Sequence, residues 1–401
     1  MEFLPVILGT DWNAYGVASS FHKAYQIKSV ALGMREQIYT RGLDFLELEV
    51  FENFTDPEVF VNELLAFSKR HANKLLLLIP CSDYYTQLII SSQDRLKDAY
   101  LFNLIDLDLY NTLESKKDFY ALCEDLGVSY PKTFIVTKDN YHNLDLPFDF
   151  PVIAKPNDSF KWLNVDHFEG YKKAYKVEDM ASLVQIMDKA YAHAYDDVFI
   201  VQDFIPGDSD QMYVVNAYVD KDGHLRMTHG AQTALDEVLP NDIGNYNALI
   251  SGDYPNLIAE AKTFLEKINY RGYANLDFKF DERDQKFKLF EINIRQGRSS
   301  MYMTYAGNNF VTYLVDDLVY QNNKPHYNHT NEHLWYLVAE QVLKKYTPLS
   351  LKDKVSYLLK ENKASYGLSY YANKNLKRFI TANRRKLSTI KYYPRFAGKS
   401  S

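Results

Sequence analysis

The chain has 401 residues, 46% of them apolar and 24% charged, with a formal net charge of −6. That length implies two or three domains, and the composition excludes disorder, collagen-like repeats and low-complexity behaviour. Two cysteines, Cys81 and Cys123, cannot build a disulfide framework, and no apolar run is long enough to cross a bilayer, so a cytoplasmic location is expected.

Residues 3–8 read as a short apolar strand rather than a signal peptide, followed by Gly9-Thr10-Asp11. A helical pattern covers 13–25 and a second strand 27–32, which makes one βαβ unit. Asp56-Pro57 signals a helix start, and that helix leads into the uninterrupted apolar run 75–79, the pattern of a strand buried on both faces. Residues 1 to about 110 are therefore expected to form a doubly wound α/β domain. Ligands in such sheets sit beyond the carboxyl ends of the strands, here residues 9–13 and 81–84.

A new unit starts with a helix over 115–126, ended by Gly127, and continues with strands near 130–136 and 151–155. A helix over 179–194 and a strand over 199–203 follow. Asp222-Gly223 marks a hairpin between 212–220 and 225–230, and two more strands are expected over 274–281 and 286–295 after a helix over 254–267. Strands from Phe199 onward read as largely antiparallel, so this part is α+β. From about Leu334 the chain reads as helical and basic. Residues 344–401 hold 15 Lys and Arg against Asp353 and Glu361, a net of +13, so the remainder carries −19. Such segregation suggests an acidic body with a basic segment that meets something anionic.

The most informative segment is 275–300. Alternation on a strand puts Glu291, Asn293 and Arg295 on one face, with Asp277 opposite on the neighbouring strand. Mg²⁺ prefers oxygen ligands, commonly one or two carboxylates completed by phosphate and water, and Asp277, Glu291 and Asn293 supply such a set. Arg295 beside them would hold phosphate oxygens or offset developing charge. A solvent-exposed polar face on an edge hairpin is the plain alternative. Lys155 ends an apolar strand, and Lys116 (or Lys117) opens a helix where its charge opposes the macrodipole; a bound phosphate would explain both. In VQDFIPG, residues 201–207, backbone groups between apolar neighbours suit an adenine edge.

In this order, SKKDFYALCEDLGVSYPKTF, PVIAKP, VQDFIPG and FEINIRQG resemble the ATP-grasp superfamily of carboxylate–amine ligases. ILGTDWNAY, FEGYKKAYKVED and GYANLDFKFD are most similar to its bacterial D-aspartate ligase group. The resemblance implies an N-terminal doubly wound α/β domain over 1–112 and two α+β lobes that sandwich ATP. The small lobe would cover 113–200 and the large lobe, with the metal site, 201–330; a basic helical segment would cover 331–401. It also implies that Lys116 and Lys155 contact ATP phosphates, that Gln202, Asp203, Phe204 and Ile205 line adenine, and that Asp210 or Gln211 faces the ribose. Asp277, Glu291 and Asn293 would hold Mg²⁺, and Arg295 would be the catalytic residue assisting phosphoryl transfer. The glycine-rich flap common in the family is replaced here by NDSFKWLNVDHFEGYKKAY, where Ser159 and Lys173 are candidates to cover the phosphates.

The implied reaction is ATP-dependent amide formation through an acyl phosphate. It would join D-aspartate, or a similar amino acid, to the lysine side chain of a UDP-linked or lipid-linked muramoyl peptide. A ligase for another amino acid or metabolite, and a non-catalytic nucleotide-binding protein, are the alternatives. Asp11, Asn13, Asp83 and Arg298 are candidates for the amino-acid substrate, though Asp11, Asn13 and Asp83 equally suit polar loops closing βα turns. His229 is a conceivable base or a structural histidine. The basic segment 344–401 would bind the precursor's diphosphate, dock on an anionic membrane, or pack as a solvated face; no nucleic-acid partner is expected, given the acidic remainder.

Overall fold

The computed structural model describes residues 2–239, 242, 244–322, 324–370 and 375–397, with only the backbone at Ser159 and Phe160. Within the basic segment, 371–374 and 398–401 thus lie outside the described residues. The chain groups into two units, each assembled from separate stretches. One comprises 1–107, 208–278 and 291–400; the other is built on 108–207 and 279–290.

The first unit opens with a parallel sheet in the order β3-β2-β1-β4: β1 (Phe3–Leu8), β2 (Ser29–Gly33), β3 (Leu46–Val50) and β4 (Leu75–Pro80). β1 pairs in register with β4 from Phe3↔Leu75 to Leu8↔Pro80. All six residues of β1 are buried. Such a strand, covered on both faces, gains about 1.5–3 kcal/mol for each large aliphatic side chain it buries. β2 begins two residues later than the apolar pattern suggests, a shift within the usual imprecision of element ends.

In the second unit, β5 (Thr133–Val136), β6 (Val152–Pro156), β7 (Tyr175–Val177) and β8 (Phe199–Asp203) form an antiparallel sheet ordered β5-β8-β6-β7. The helix Lys116–Asp125 precedes it, capped by the Ser115 side chain. Gly127, at φ +63°, turns the chain out of that helix, with its amide donating to Glu124 O and the Val128 amide to Cys123 O.

The large sheet is ordered β13-β12-β9-β10-β11-β15-β16, with β14 beside β10. Its strands are β9 (Met212–Val219), β10 (Leu225–Asp236), β11 (Tyr246–Ser251), β12 (Gly272–Asp281), β13 (Lys286–Asn293), β14 (Tyr327–His329), β15 (His333–Tyr336) and β16 (Ala364–Tyr366). The outer part of the β12–β13 hairpin, 279–290, groups with the second unit. β15 and β16 correct the expectation of helix from Leu334 onward. His-Leu-Trp-Tyr pairs antiparallel with β11 and buries Leu334 and Trp335, and β16 adds in parallel beside it. Strands of three or four residues carry too little periodicity to stand out from a helical pattern. The rest of the segment is helical, ending in Leu376–Phe396. Among the described residues, no helix is long and apolar enough to cross a membrane.

Candidate active site

In the second unit, two lysines are bound into one block. Lys116 is the first residue of its helix, and its Nζ donates to Asn157 O at 3.0 Å, just beyond β6. The Lys117 amide donates to Asn157 Oδ1 at 2.8 Å, so it is the backbone of Lys117 that meets this residue. Lys155 reaches the other way, from β6 to that helix, donating to the Tyr120 hydroxyl at 2.8 Å. Its ammonium lies 5.1 Å from the Tyr120 ring centroid and 5.7 Å from that of Phe290. Tyr120 in turn donates to Phe290 O at 2.8 Å. Aromatic faces attract a cation through their ring electrons, so the two rings help to hold the Lys155 ammonium in place.

Gln202, buried on β8, donates through Nε2 to Thr133 Oγ1 at 2.8 Å, while its Oε1 has no hydrogen-bond partner among the described residues. A buried acceptor without a donor is costly, and the exocyclic amine of adenine is a donor of the kind it lacks. The neighbouring residues are more heavily engaged than the sequence suggests. The Asp203 amide donates to Lys132 O, and its carboxylate pairs with Arg283 at 2.7 Å. Ile205 O accepts from Lys279 Nζ at 2.7 Å, and the Phe204 ring lies beneath Lys176 and Lys279.

The segment 157–173 is anchored by aromatic packing instead of glycines. Trp162 is buried and stacks on Tyr171 at 4.9 Å, and its Nε1 donates to Lys172 O. Ser159 opens the short helix Ser159–Leu163, with its side chain outside the described part, and Lys173 is exposed.

In the first unit, β12 and β13 bring Asp277 and Asn293 together. Asn293 Nδ2 donates to Asn275 Oδ1 at 3.1 Å and lies 3.4 Å from Asp277 Oδ2. Tyr246, on β11, donates its hydroxyl to Asp277 Oδ1 at 2.7 Å. Burial, then the Glu291 charge, pushes the Asp277 carboxyl up to about 7, against the pull of Tyr246, Arg295 and Asn293. Glu291 itself is exposed. No three His, Cys, Asp or Glu side chains converge as a metal-binding group among the described residues. The set is two carboxylates and an amide, all oxygen donors. Two carboxylates near enough to raise one pKa are the pair a hard divalent cation would relieve, so the residues fit Mg²⁺ completed by phosphate and water.

Arg295 is held by Asp83, through Nε at 2.8 Å and Nη2 at 3.0 Å, and its Nη2 also lies 3.3 Å from Asn293 Oδ1. The substrate candidates gather at this same end of β1 and β4. Asp11 caps the helix Trp12–Tyr25; burial raises its carboxyl, with Arg298 and Arg295 opposing that rise. Asn13 donates to Cys81 O at 3.1 Å, and its buried Oδ1 has no partner among the described residues. Arg298 pairs with Asp242 at 3.4 Å. Acidic and guanidinium groups together suit a substrate that is both ammonium and carboxylate. Asp210, in the same unit, is hydrogen-bonded by the Ser350 hydroxyl, and its carbonyl accepts from Gln232 at 2.7 Å.

His229 lies in the core. Its ring is fully buried among Tyr302, His329 and Asn308, and burial lowers its pKa to about 3, so it stays neutral and structural. The sequence reading missed Tyr120, Phe290, Asn157, Asn275 and Tyr246. Asn275 was discoverable, since it stands two residues before Asp277 and shares its strand face. Tyr246 comes from a strand whose pairing no local pattern reveals.

No family model matches the chain. A D-aspartate ligase from Enterococcus faecium (strain Aus0004) is 37% identical over 411 aligned residues, covering 98% of this chain and 96% of the relative. The chain belongs to the D-aspartate ligase family, and its fold is that of the ATP-grasp ligases. Solved structures of the same fold include an L-amino acid ligase from Bacillus licheniformis, at TM-score 0.58 and 12% identity over 79% of this chain and 74% of that one. A biotin carboxylase from Campylobacter jejuni, in complex with an ATP analogue, has TM-score 0.59 and 13% identity over 78% and 70%. The family places this chain among ATP-dependent carboxylate–amine ligases.

Proposed function

We propose that the chain joins D-aspartate to the lysine side chain of a peptidoglycan precursor, a UDP-linked or lipid-linked muramoyl peptide. Near full-length similarity to a D-aspartate ligase carries this reading. In it, residues 1–112 and 201–330 supply the acid and metal groups, 113–200 the lysines, and 331–401 the basic segment.

Lys116 and Lys155 would hold the ATP phosphates, with Ser159 and Lys173 at their edge; Gln202 to Ile205 would line adenine, and Asp210 the ribose. Asp277, Glu291 and Asn293 would hold Mg²⁺, which would supply charge neutralisation at the phosphates. Asp11, Asn13, Asp83 and Arg298 would orient the amino acid, its ammonium toward Asp11 and its carboxylates toward the arginines. A carboxylate oxygen attacks the γ-phosphorus and ADP leaves; the amine then attacks the acyl carbon, phosphate departs, and the amine loses a proton. Arg295, fixed by Asp83, would offset charge on the transferring group. Contact of residues 344–401 with an anionic membrane would suit a lipid-linked acceptor.

ADP release with Mg²⁺, across a panel of D- and L-amino acids with and without a lysine-containing UDP-muramoyl pentapeptide, tests this reading. Turnover that needs both D-aspartate and the peptide is expected. Turnover with another amino acid alone would replace the substrate, and none with any pairing would overturn the reading.

A further inference from the structure

A helix packed on a globular body normally turns its apolar stripe inward. The helix Leu376–Phe396 does so only in part: Ala382 is buried and Ile390 and Phe396 pack on the core, yet a second apolar stripe faces out. Its inner side is otherwise polar and aromatic. Arg378 is buried, its guanidinium 5.1 Å from the Tyr15 ring centroid and its Nη1 donating to Ile38 O at 3.2 Å. Ala382 O accepts from the Tyr366 hydroxyl, Thr389 Oγ1 accepts from the Ala339 amide, and Tyr393 donates to Asp236 O. Outward, Leu376 is 76% exposed, Phe379 48%, Ile380 43% and Leu387 60%. At about 100° per residue, Leu376, Ile380 and Leu387 form one stripe with Phe379 on its flank. Exposed Lys377, Arg384, Lys391 and Arg395 form a second stripe directly alongside. The helix contains no Asp or Glu.

We propose that this outer face is where the protein docks on an anionic phospholipid bilayer, the helix lying in the interfacial plane while its inner face stays packed. This rests on reading residues 344–401 as membrane-contacting, and narrows that contact to one face of one helix. A bilayer surface accepts both stripes, large apolar side chains among the acyl chains and ammonium or guanidinium groups at the phosphates. A nucleic acid would use the basic stripe and leave four large apolar side chains in water. A second copy would set one basic stripe against another.

Flotation of the full chain with vesicles of phosphatidylcholine, with and without added phosphatidylglycerol, tests the proposal. The expected result is binding to the anionic vesicles only, weakened by salt. Phe379→Ser with Ile380→Ser and Leu387→Ser should abolish it. Lys377→Gln, Arg384→Gln and Lys391→Gln should each weaken it about fivefold. Lys352→Gln with Lys354→Gln, off this face, should leave it intact, and ATP turnover with a soluble acceptor should be unchanged in every variant. Binding that survives the outer-face substitutions but is lost with Lys352 and Lys354 would overturn the inference while sparing a membrane contact elsewhere. No binding by the unaltered chain would overturn both. Concentration-dependent self-association abolished by the outer-face substitutions, without vesicle binding, would assign the face to a second copy and likewise overturn the proposal.

Discussion

Lys116 and Lys155 meet a carbonyl, a phenol and two aromatic faces, while Asp277, Asn293 and Arg295 stand in a mesh of side-chain hydrogen bonds and an ion pair. Neutral oxygens and rings hold the lysines in place by packing. The mesh crowds two carboxylates and holds a guanidinium in a fixed orientation. In the proposed reaction these would be two kinds of preorganisation, one made by packing and one by charge.

The sharpest way to break that contrast is on the acidic side. Glu291→Gln or Asp277→Asn should lower turnover at saturating ATP by on the order of a hundredfold, since each removes a charge the metal needs; steady-state ADP release measures this. On the lysine side, Lys155→Met should cost about ten- to a hundredfold in kcat/KM for ATP, the worth of a charge-assisted hydrogen bond, with the loss divided between KM and kcat. If the two variants had the same kinetic signature, the contrast would fail.

Gly272 sharpens it structurally. At φ +85°, a Cβ there would meet Asn103 O at 2.2 Å, so Gly272→Ala should destabilise the fold by about 3 kcal/mol. Because Gly272 opens β12, the variant should also raise the Mg²⁺ requirement more than the KM for ATP. Thermal melts and Mg²⁺ titrations read the two effects.

The pH dependence belongs to the acidic side alone. The Asp277 carboxyl moves from 3.8 in the unfolded chain to about 7. Between those values the native protein keeps a proton that the unfolded chain has lost, so metal-free stability falls as pH rises through this window. Mg²⁺ binds the carboxylate and displaces that proton, so its affinity should rise over the same range and level off above about 7. Asp277→Asn should remove both trends. The smallest effect is expected from Tyr246→Phe, which deletes a donor to Asp277 worth about 1 kcal/mol. Without it the carboxyl rises further, and the Mg²⁺ midpoint should move to higher pH.

The elements that the sequence revealed are those with local periodicity. Alternation in FEINIRQ put Glu291, Asn293 and Arg295 on one face, and the buried run at β4 and the Asp-Gly hairpin were equally plain. Contacts set by distant pairing were not. Arg295 and Asp83 are 212 residues apart in sequence and stand in separate motifs, so only the folded chain joins them. Tyr246 reaches Asp277 only because β11 and β12 belong to one sheet. The short strands β15 and β16 were too brief to show a period, and the helix Leu376–Phe396 was legible as basic, but not as facing an apolar stripe outward.

The most direct test of the account is the fate of the acid's oxygen. With heavy-oxygen label in the carboxylates of D-aspartate, Mg-ATP and the lysine-bearing precursor, phosphate from each turnover should carry one labelled oxygen, because that oxygen attacks phosphorus and leaves with it. Label expelled into water or into AMP, with unlabelled phosphate and turnover intact, would contradict activation through an acyl phosphate.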